Sequence, residues 1–134
     1  MSDASTGRRV ALITGGASGI GAATAAQLRA RGWRLALMDL DASLLQGTAQ
    51  ALGGDTLAVA GDVSKAADCE LAVADTVLRF GRLDLAWANA GIGSFGPLSL
   101  APVVDWQRTI EVNVFGVLHT ARAALPQLIA HRGQ

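Results

Sequence analysis

Three glycines, Gly15, Gly19 and Gly21, close an apolar run, Val10-Ala-Leu-Ile-Thr14, and open an alanine-rich segment. Glycine lets a backbone turn sharply, approach a ligand with no Cβ in the way, and pack a following helix tightly on the strand. A helix starting there points unpaired N–H groups and the positive end of its dipole at whatever lies above the glycines, an environment suited to a pyrophosphate. Asp39 ends a second apolar run, Leu35-Ala-Leu-Met38, and lies 18 residues after Gly21. That is close to the spacing at which a carboxylate meets ribose hydroxyls. Ordinary loops also carry three glycines, and a methyltransferase loop likewise follows a first strand and precedes an acidic residue, so these residues alone leave both alternatives open. A Walker-type phosphate loop is excluded, because no Gly-Lys-Ser/Thr follows.

The elements that must hold these residues alternate along the chain. After the first strand, Ile20 to Arg31 carries apolar residues at helical spacing and stops at Gly32. Asp41 is placed to cap a helix over Ala42 to Leu52, and Thr56 to Ala60 follows as a short strand. Ser64 is expected to cap a third helix that runs to Phe80 and ends at Gly81. Leu83 to Asn89 reads as a fourth strand, Ala90 to Leu100 as a loop, and the remainder as helix. This alternation predicts an α/β fold, a Rossmann-like doubly wound parallel sheet with helices on both faces. In the doubly wound order 3-2-1-4-5-6, ligands sit outside the carboxyl ends of the strands at the reversal between strands 1 and 4. Thr14 to Gly21, Asp39, Asp62 and Asn89 to Gly91 all follow strand ends.

Composition narrows the function classes. At 134 residues the chain holds one domain over 9–134, preceded by a loose tail over 1–8, and can bury a real core. Apolar residues make up 51%, charged ones only 16%, and 16 glycines are present, which suits a buried parallel sheet. Lys plus Arg balances Asp plus Glu at 11 each with no basic run, so nucleic acid and anionic membrane are poor partners. No apolar segment reaches membrane-spanning length, and the N-terminus lacks a signal-peptide core. Cys69 stands alone, and the expectation is a cytoplasmic, reducing setting. His119 and His131 have no metal-site spacing and read as packed or exposed helix residues.

Four motifs in order resemble the short-chain dehydrogenase/reductase family over nearly the whole chain, from about Arg9 to His131. They are Thr14-Gly-Gly-Ala-Ser-Gly-Ile-Gly21, Asp62-Val63, Asn89-Ala90-Gly91 and Asn113. The methyltransferase alternative predicts neither the Asn-Ala-Gly segment nor the later asparagine. The resemblance implies a cofactor site in which Gly15, Ser18, Gly19, Ile20 and Gly21 hold the pyrophosphate. Asp39 would accept from the adenosine ribose and repel a 2′-phosphate. With Ser18 and Leu40 both non-basic, NAD is expected rather than NADP. Asp62 and the Val63 backbone would meet the adenine, and Asn89-Ala90-Gly91 would lie beside the cofactor ribose. Asn113, among otherwise helical residues with Gly116 nearby, suggests a kink or local task. The resemblance gives it a catalytic role, anchoring a water in a proton relay.

The same resemblance implies hydride transfer between nicotinamide and an alcohol or carbonyl, assisted by a serine, a tyrosine and a lysine. Those lie beyond the matching end of this sequence, which contains no tyrosine and one lysine, Lys65. The chain thus reads as the family's fold truncated after about four strands, inactive alone, with an open edge at strand 4. The segment Val112 to Ile129 is apolar around most of its circumference and calls for burial on more than one side. Homo-oligomers are expected of a complete relative and self-association of this fragment. The alternatives are a non-catalytic nucleotide-binding or structural half-domain that pairs with another chain.

Overall fold

The computed structural model describes residues 7–134. The first six residues of the tail expected over 1–8 fall outside the described residues. Strands β1 (Val10–Thr14), β2 (Arg34–Asp39), β3 (Leu57–Ala60) and β4 (Leu85–Trp87) alternate with helices α1 (Gly19–Ala30), α2 (Ala42–Leu52) and α3 (Ala66–Phe80). All pairings are parallel, in the order β3-β2-β1-β4. The Rossmann-like doubly wound expectation therefore holds, with its reversal between β1 and β4.

Strand side chains alternate between faces, so each strand serves two cores. Leu12 and Val10 of β1 with Ala36 and Met38 of β2 face α3 and the last helix, meeting Ala72, Val73, Val112 and Ala124. Ala11 and Ile13 with Leu35 and Leu37 face α1 and α2, meeting Ala25 and Leu45. Because both faces are covered, β1 is buried along its whole length and reads as a continuous apolar run. Asp41 caps α2 as expected, its Oδ1 accepting from the Leu44 N–H at 3.0 Å. Among the described residues no helix is long and apolar enough to cross a membrane.

Several local expectations are corrected. Ser64 does not cap α3; Lys65 holds that position without a side-chain cap bond. The Ser64 N–H and hydroxyl both go instead to Asp62 Oδ1, at 2.9 and 2.7 Å, closing a local turn ahead of the helix. Strand β4 covers Leu85–Trp87 rather than Leu83–Asn89. At its start the Asp84 carboxylate takes the Val10 N–H that a longer ladder would use. At its end Asn89 turns back onto Trp87, its N–H reaching the Trp87 carbonyl at 3.0 Å. The β4 edge is also partly covered. Gln134 donates to the Asp84 carbonyl and accepts from the Ala86 N–H, both at 2.9 Å.

The C-terminal helical run has three parts: α4 (Val103–Ile110), a π-helical turn (Glu111–Phe115) and α5 (Gly116–His131). Its buried side is Val112, Gly116, Thr120 and Ala124. Phe115, Leu118, Leu125 and Ile129 remain about half or more exposed, so the apolar circumference is covered on one side only. Cys69 is buried between α3 and α5, its Sγ 3.7 Å from the Thr120 hydroxyl. Burial pushes the thiol pKa up, and the Asp68, Asp62 and Glu70 charges add to this, which disfavours a reactive thiolate.

Candidate functional site

The carboxyl ends of all four strands open into one cavity of about 340 Å³. Small-molecule sites commonly span about 300–1,000 Å³. The turn after β1 contributes Gly15, Ser18 and Ile20, and the end of β2 contributes Asp39 and Leu40. Asp62 and Val63 follow β3, while Asn89, Ala90, Gly91 and Ile92 follow β4. Arg108 and Val112, from the far helical run, form the remaining wall.

The β1 turn and the segment after β4 are fastened by a compact polar set. The buried Thr14 hydroxyl accepts from the Asn89 and Ala90 N–H groups, each at 3.0 Å. Asn89 Nδ2 donates in return to the carbonyls of Thr14 at 3.2 Å and Gly15 at 3.4 Å. This close seating is why Gly15, at φ +65, lacks a Cβ; one added there would stand 2.9 Å from the Ala90 Cα. Gly19 and Gly21 do not line the cavity. They open α1, and Gly21 acts one layer back, where its backbone packs on Gly15 and Asn89. Ser18 makes no side-chain cap bond, so it leaves the first-turn N–H groups of α1 able to meet an anion.

Asp39 is more than a free carboxylate at a strand end. Its Oδ2 accepts from the Ala17 N–H at 3.0 Å, and Oδ1 from the Leu40 N–H at 2.8 Å. The Ala17 carbonyl is gripped from the other side by the Thr48 hydroxyl of α2, at 2.7 Å. The glycine turn is thus clamped to β2 and α2 through one residue, Ala17, by its N–H and its carbonyl.

Asp62 lies in a denser network. Oδ1 receives the two bonds from Ser64, and Oδ2 pairs with Arg108 Nη2 at 2.9 Å. Arg108 Nη1 donates to the Ser64 hydroxyl at 2.7 Å, closing a three-residue ring. Burial pushes the Asp62 carboxyl up, but the bonds from Ser64 and the Arg108 guanidinium outweigh it and hold the pKa below the usual carboxylate range. The Val63 carbonyl lies 2.9 Å from His119 Nδ1; since a carbonyl only accepts, the proton sits on Nδ1. His119 therefore braces the cavity wall, a task its sequence context did not signal.

Asn113 lies outside the cavity lining. It sits in the π-helical turn and makes a reciprocal pair with the Ile92 backbone. Its Oδ1 accepts from the Ile92 N–H at 2.8 Å, and its Nδ2 donates to the Ile92 carbonyl at 2.7 Å. The irregular turn presents the side chain like a strand partner to the segment leaving β4. Asn113→Ala is expected to free both Ile92 groups, costing about 1–2 kcal/mol of local stability. Amide exchange at Ile92 should accelerate roughly tenfold. Unchanged protection of that amide would show that the pair carries no weight.

Sequence reasoning missed Arg108 and Thr48, because neither has any spacing relation to the residues it holds. Arg108 meets Asp62 across 46 positions of chain, and Thr48 meets Ala17 across 31.

Comparison with known proteins bears on this arrangement. A family model described as short chain dehydrogenase matches residues 9–134. The 2-(R)-hydroxypropyl-CoM dehydrogenase of Xanthobacter autotrophicus is 38% identical over 128 residues, covering 90% of this chain and 51% of the relative. A short chain dehydrogenase/reductase from Burkholderia phymatum, solved in complex with NAD, superposes with a TM-score of 0.87 at 35% identity. The match covers 90% of this chain and 44% of that one. An alcohol dehydrogenase from the archaeon Thermococcus sibiricus, complexed with 5-hydroxy-NADP, gives 0.89 at 36% identity, covering 95% and 56%. The chain thus spans about half the length of the relatives it matches.

Proposed function

This chain belongs to the short-chain dehydrogenase family, and from that premise we propose that it binds NAD across the carboxyl ends of its strands, as the cofactor-holding part of an oxidoreductase. The observation that carries the reading is the convergence of the glycine turn, Asp39 and Asp62 on one cavity. The residues present fit such a group. The cradle at Gly15 and the first turn of α1 suits the pyrophosphate, Asp39 suits the ribose hydroxyls, and Asp62 with the Val63 backbone suits the adenine. Asn89, Ala90 and Gly91 give the cofactor's second ribose a side-chain-poor wall. The bound nicotinamide would supply hydride exchange with an alcohol or carbonyl. Asn113 would hold the Ile92 segment in place beside that reaction, and its role in a proton relay is part of the same proposal. The sequence contains no tyrosine, so the 134 residues by themselves are expected to bind and not to turn over.

Asp39 favours NAD over NADP, because a 2′-phosphate would meet its carboxylate and the adjacent Leu40 offers no cation. Calorimetric titration should find NAD bound at least tenfold more tightly than NADP, a gap of about 1.4 kcal/mol. Asp39→Asn should narrow the gap by removing the repulsion while keeping an acceptor for the Ala17 N–H. Equal binding of both cofactors by the unaltered chain would refute the assignment, and no binding of either would remove the cofactor reading itself.

A second reading, a non-catalytic nucleotide-binding module that pairs with another chain, is favoured by one observation. Phe115, Leu118, Leu125 and Ile129 form an exposed apolar row on the π-helical turn and α5. Self-association through that row is compatible with either reading. A reducing cytoplasmic setting fits the buried free thiol of Cys69.

A further inference from the structure

Four hydrogen-bond positions on the Asp62 carboxylate are available to donors, two per oxygen. Oδ1 is full: the Ser64 N–H and the Ser64 hydroxyl take both of its positions, at 2.9 and 2.7 Å. Oδ2 carries one bond, from Arg108 Nη2 at 2.9 Å, which leaves a single open acceptor position in the group. Arg108 does three things here at once. It occupies half of Oδ2, it turns the Ser64 hydroxyl toward Oδ1 by donating to that oxygen at 2.7 Å, and it forms part of the cavity wall itself. A guanidinium suits this task, because its planar fork reaches two acceptors with fixed geometry.

We infer that Arg108 is a positioning residue that sets base selectivity: it holds Asp62 as an ionised acceptor with one open position on Oδ2, which accepts a base edge that donates and rejects one that accepts. Adenine presents an amino group at its six position, whereas hypoxanthine and guanine present a carbonyl there. An ionised carboxylate has no proton to offer that carbonyl, and two acceptors facing one another in a partly enclosed wall repel. The inference rests on the reading above that the base lies at the β3 end of the cavity.

Arg108 reaches this position from α4, with its side chain about two-fifths exposed and the Asp62 side chain only 14% exposed. Other charged or titratable groups surround the pair. Asp68 of α3 accepts from the Asp62 N–H at 2.9 Å, and Lys65 precedes it at the start of that helix. Glu111 stands 3.9 Å from Arg108 on the helical run, His119 of α5 bonds the neighbouring Val63 carbonyl, and Asp39 faces across the cavity. All of these are common to the variants below, so differences between variants at one pH report on Arg108.

The test is calorimetric titration of the full chain with NAD and with nicotinamide hypoxanthine dinucleotide, from mildly acidic to neutral pH. The unaltered chain should favour the adenine form about tenfold, the scale of one hydrogen bond gained or lost at a partly exposed site. Arg108→Gln should bring the two within about threefold, and its binding of NAD should weaken on acidification at a higher pH than in the unaltered chain. Arg108→Lys, whose ammonium cannot bond Asp62 and Ser64 with the same fork, should fall between them and serves if the glutamine variant does not fold. Selectivity and acid limb both unchanged in these variants would make Arg108 a merely structural residue and overturn the inference. Equal affinity of the unaltered chain for both dinucleotides would overturn it while leaving the cofactor reading intact. Binding of neither would overturn both.

Discussion

Gly21→Ala is expected to cost about 3 kcal/mol of stability and to abolish measurable nucleotide binding. A Cβ at this position would be driven against the Gly15 carbonyl oxygen, 2.9 Å from the Gly15 carbonyl carbon and 2.8 Å from Asn89 Nδ2. Overpacking typically costs about 1–3 kcal/mol, and the upper end applies because the obstruction is largely backbone. Relief by moving Asn89 would break its bonds to the Thr14 and Gly15 carbonyls. Relief by moving Gly15 would reshape the cradle itself. The melting temperature should fall by roughly 10 °C for a domain of this size. Gly47→Ala is the control: nothing stands within 4 Å of its would-be Cβ, and it lies inside α2. That change should raise stability by about 0.5–1 kcal/mol through helix propensity. Wild-type melting and NAD binding in Gly21→Ala would refute the role given to this close approach.

The second large effect lies at the opposite end of the sheet. The buried Asp84 accepts from the Val10 N–H at 2.8 Å, from Arg82 Nε at 2.9 Å and from Arg82 Nη2 at 2.7 Å. Together these join the start of β1 to the start of β4. Burial pushes the carboxyl up, but the Arg82 bonds, the Val10 N–H and the charges of Arg82 and His131 outweigh it and hold the pKa below the ordinary value. A carboxyl depressed by folding stabilises the protein fully above its unfolded pKa of about 3.9. That contribution is lost as pH falls through the lower folded value. Asp84→Asn should therefore cost about 3 kcal/mol at neutral pH, where it leaves Arg82 and Val10 incompletely partnered. Its penalty should shrink below about pH 4. Asp62, also depressed, keeps part of the acid limb in the variant. Urea unfolding at pH 7 and pH 3 measures both, and an equal penalty at the two values would show that the Asp84 charge contributes nothing.

Much of this molecule is legible in local pattern. The runs at Val10 and Leu35 are apolar because both faces of a parallel sheet are covered, so β1 and β2 appear where expected. Asp41 caps α2 through an N–H only three residues away, which is a local matter. Ser64 failed as a cap because α3 starts one residue later and its hydroxyl donates to Asp62 and accepts from Arg108 instead of from a first-turn N–H, a use equally compatible with the residue type. The short β4 was not legible, because its length is set by what Asp84 and Asn89 do with Val10 and Thr14, more than 70 positions away. The π-helical turn was visible only as a disturbance at Asn113 and Gly116; its purpose needed Ile92 as a partner.

The sequence by itself determined the alternating elements, the parallel sheet and the gathering of Gly15, Asp39, Asp62 and Asn89 at strand ends, because periodicity and turn chemistry act within a few residues. Only the tertiary structure decided that Asp39 clamps the glycine turn, that Gly21 acts from behind the cradle and that Asn113 holds Ile92 from outside the cavity. It also brought Arg108 to Asp62. Those contacts join segments far apart in the chain, and which donor meets which acceptor depends on how the helices pack across the sheet.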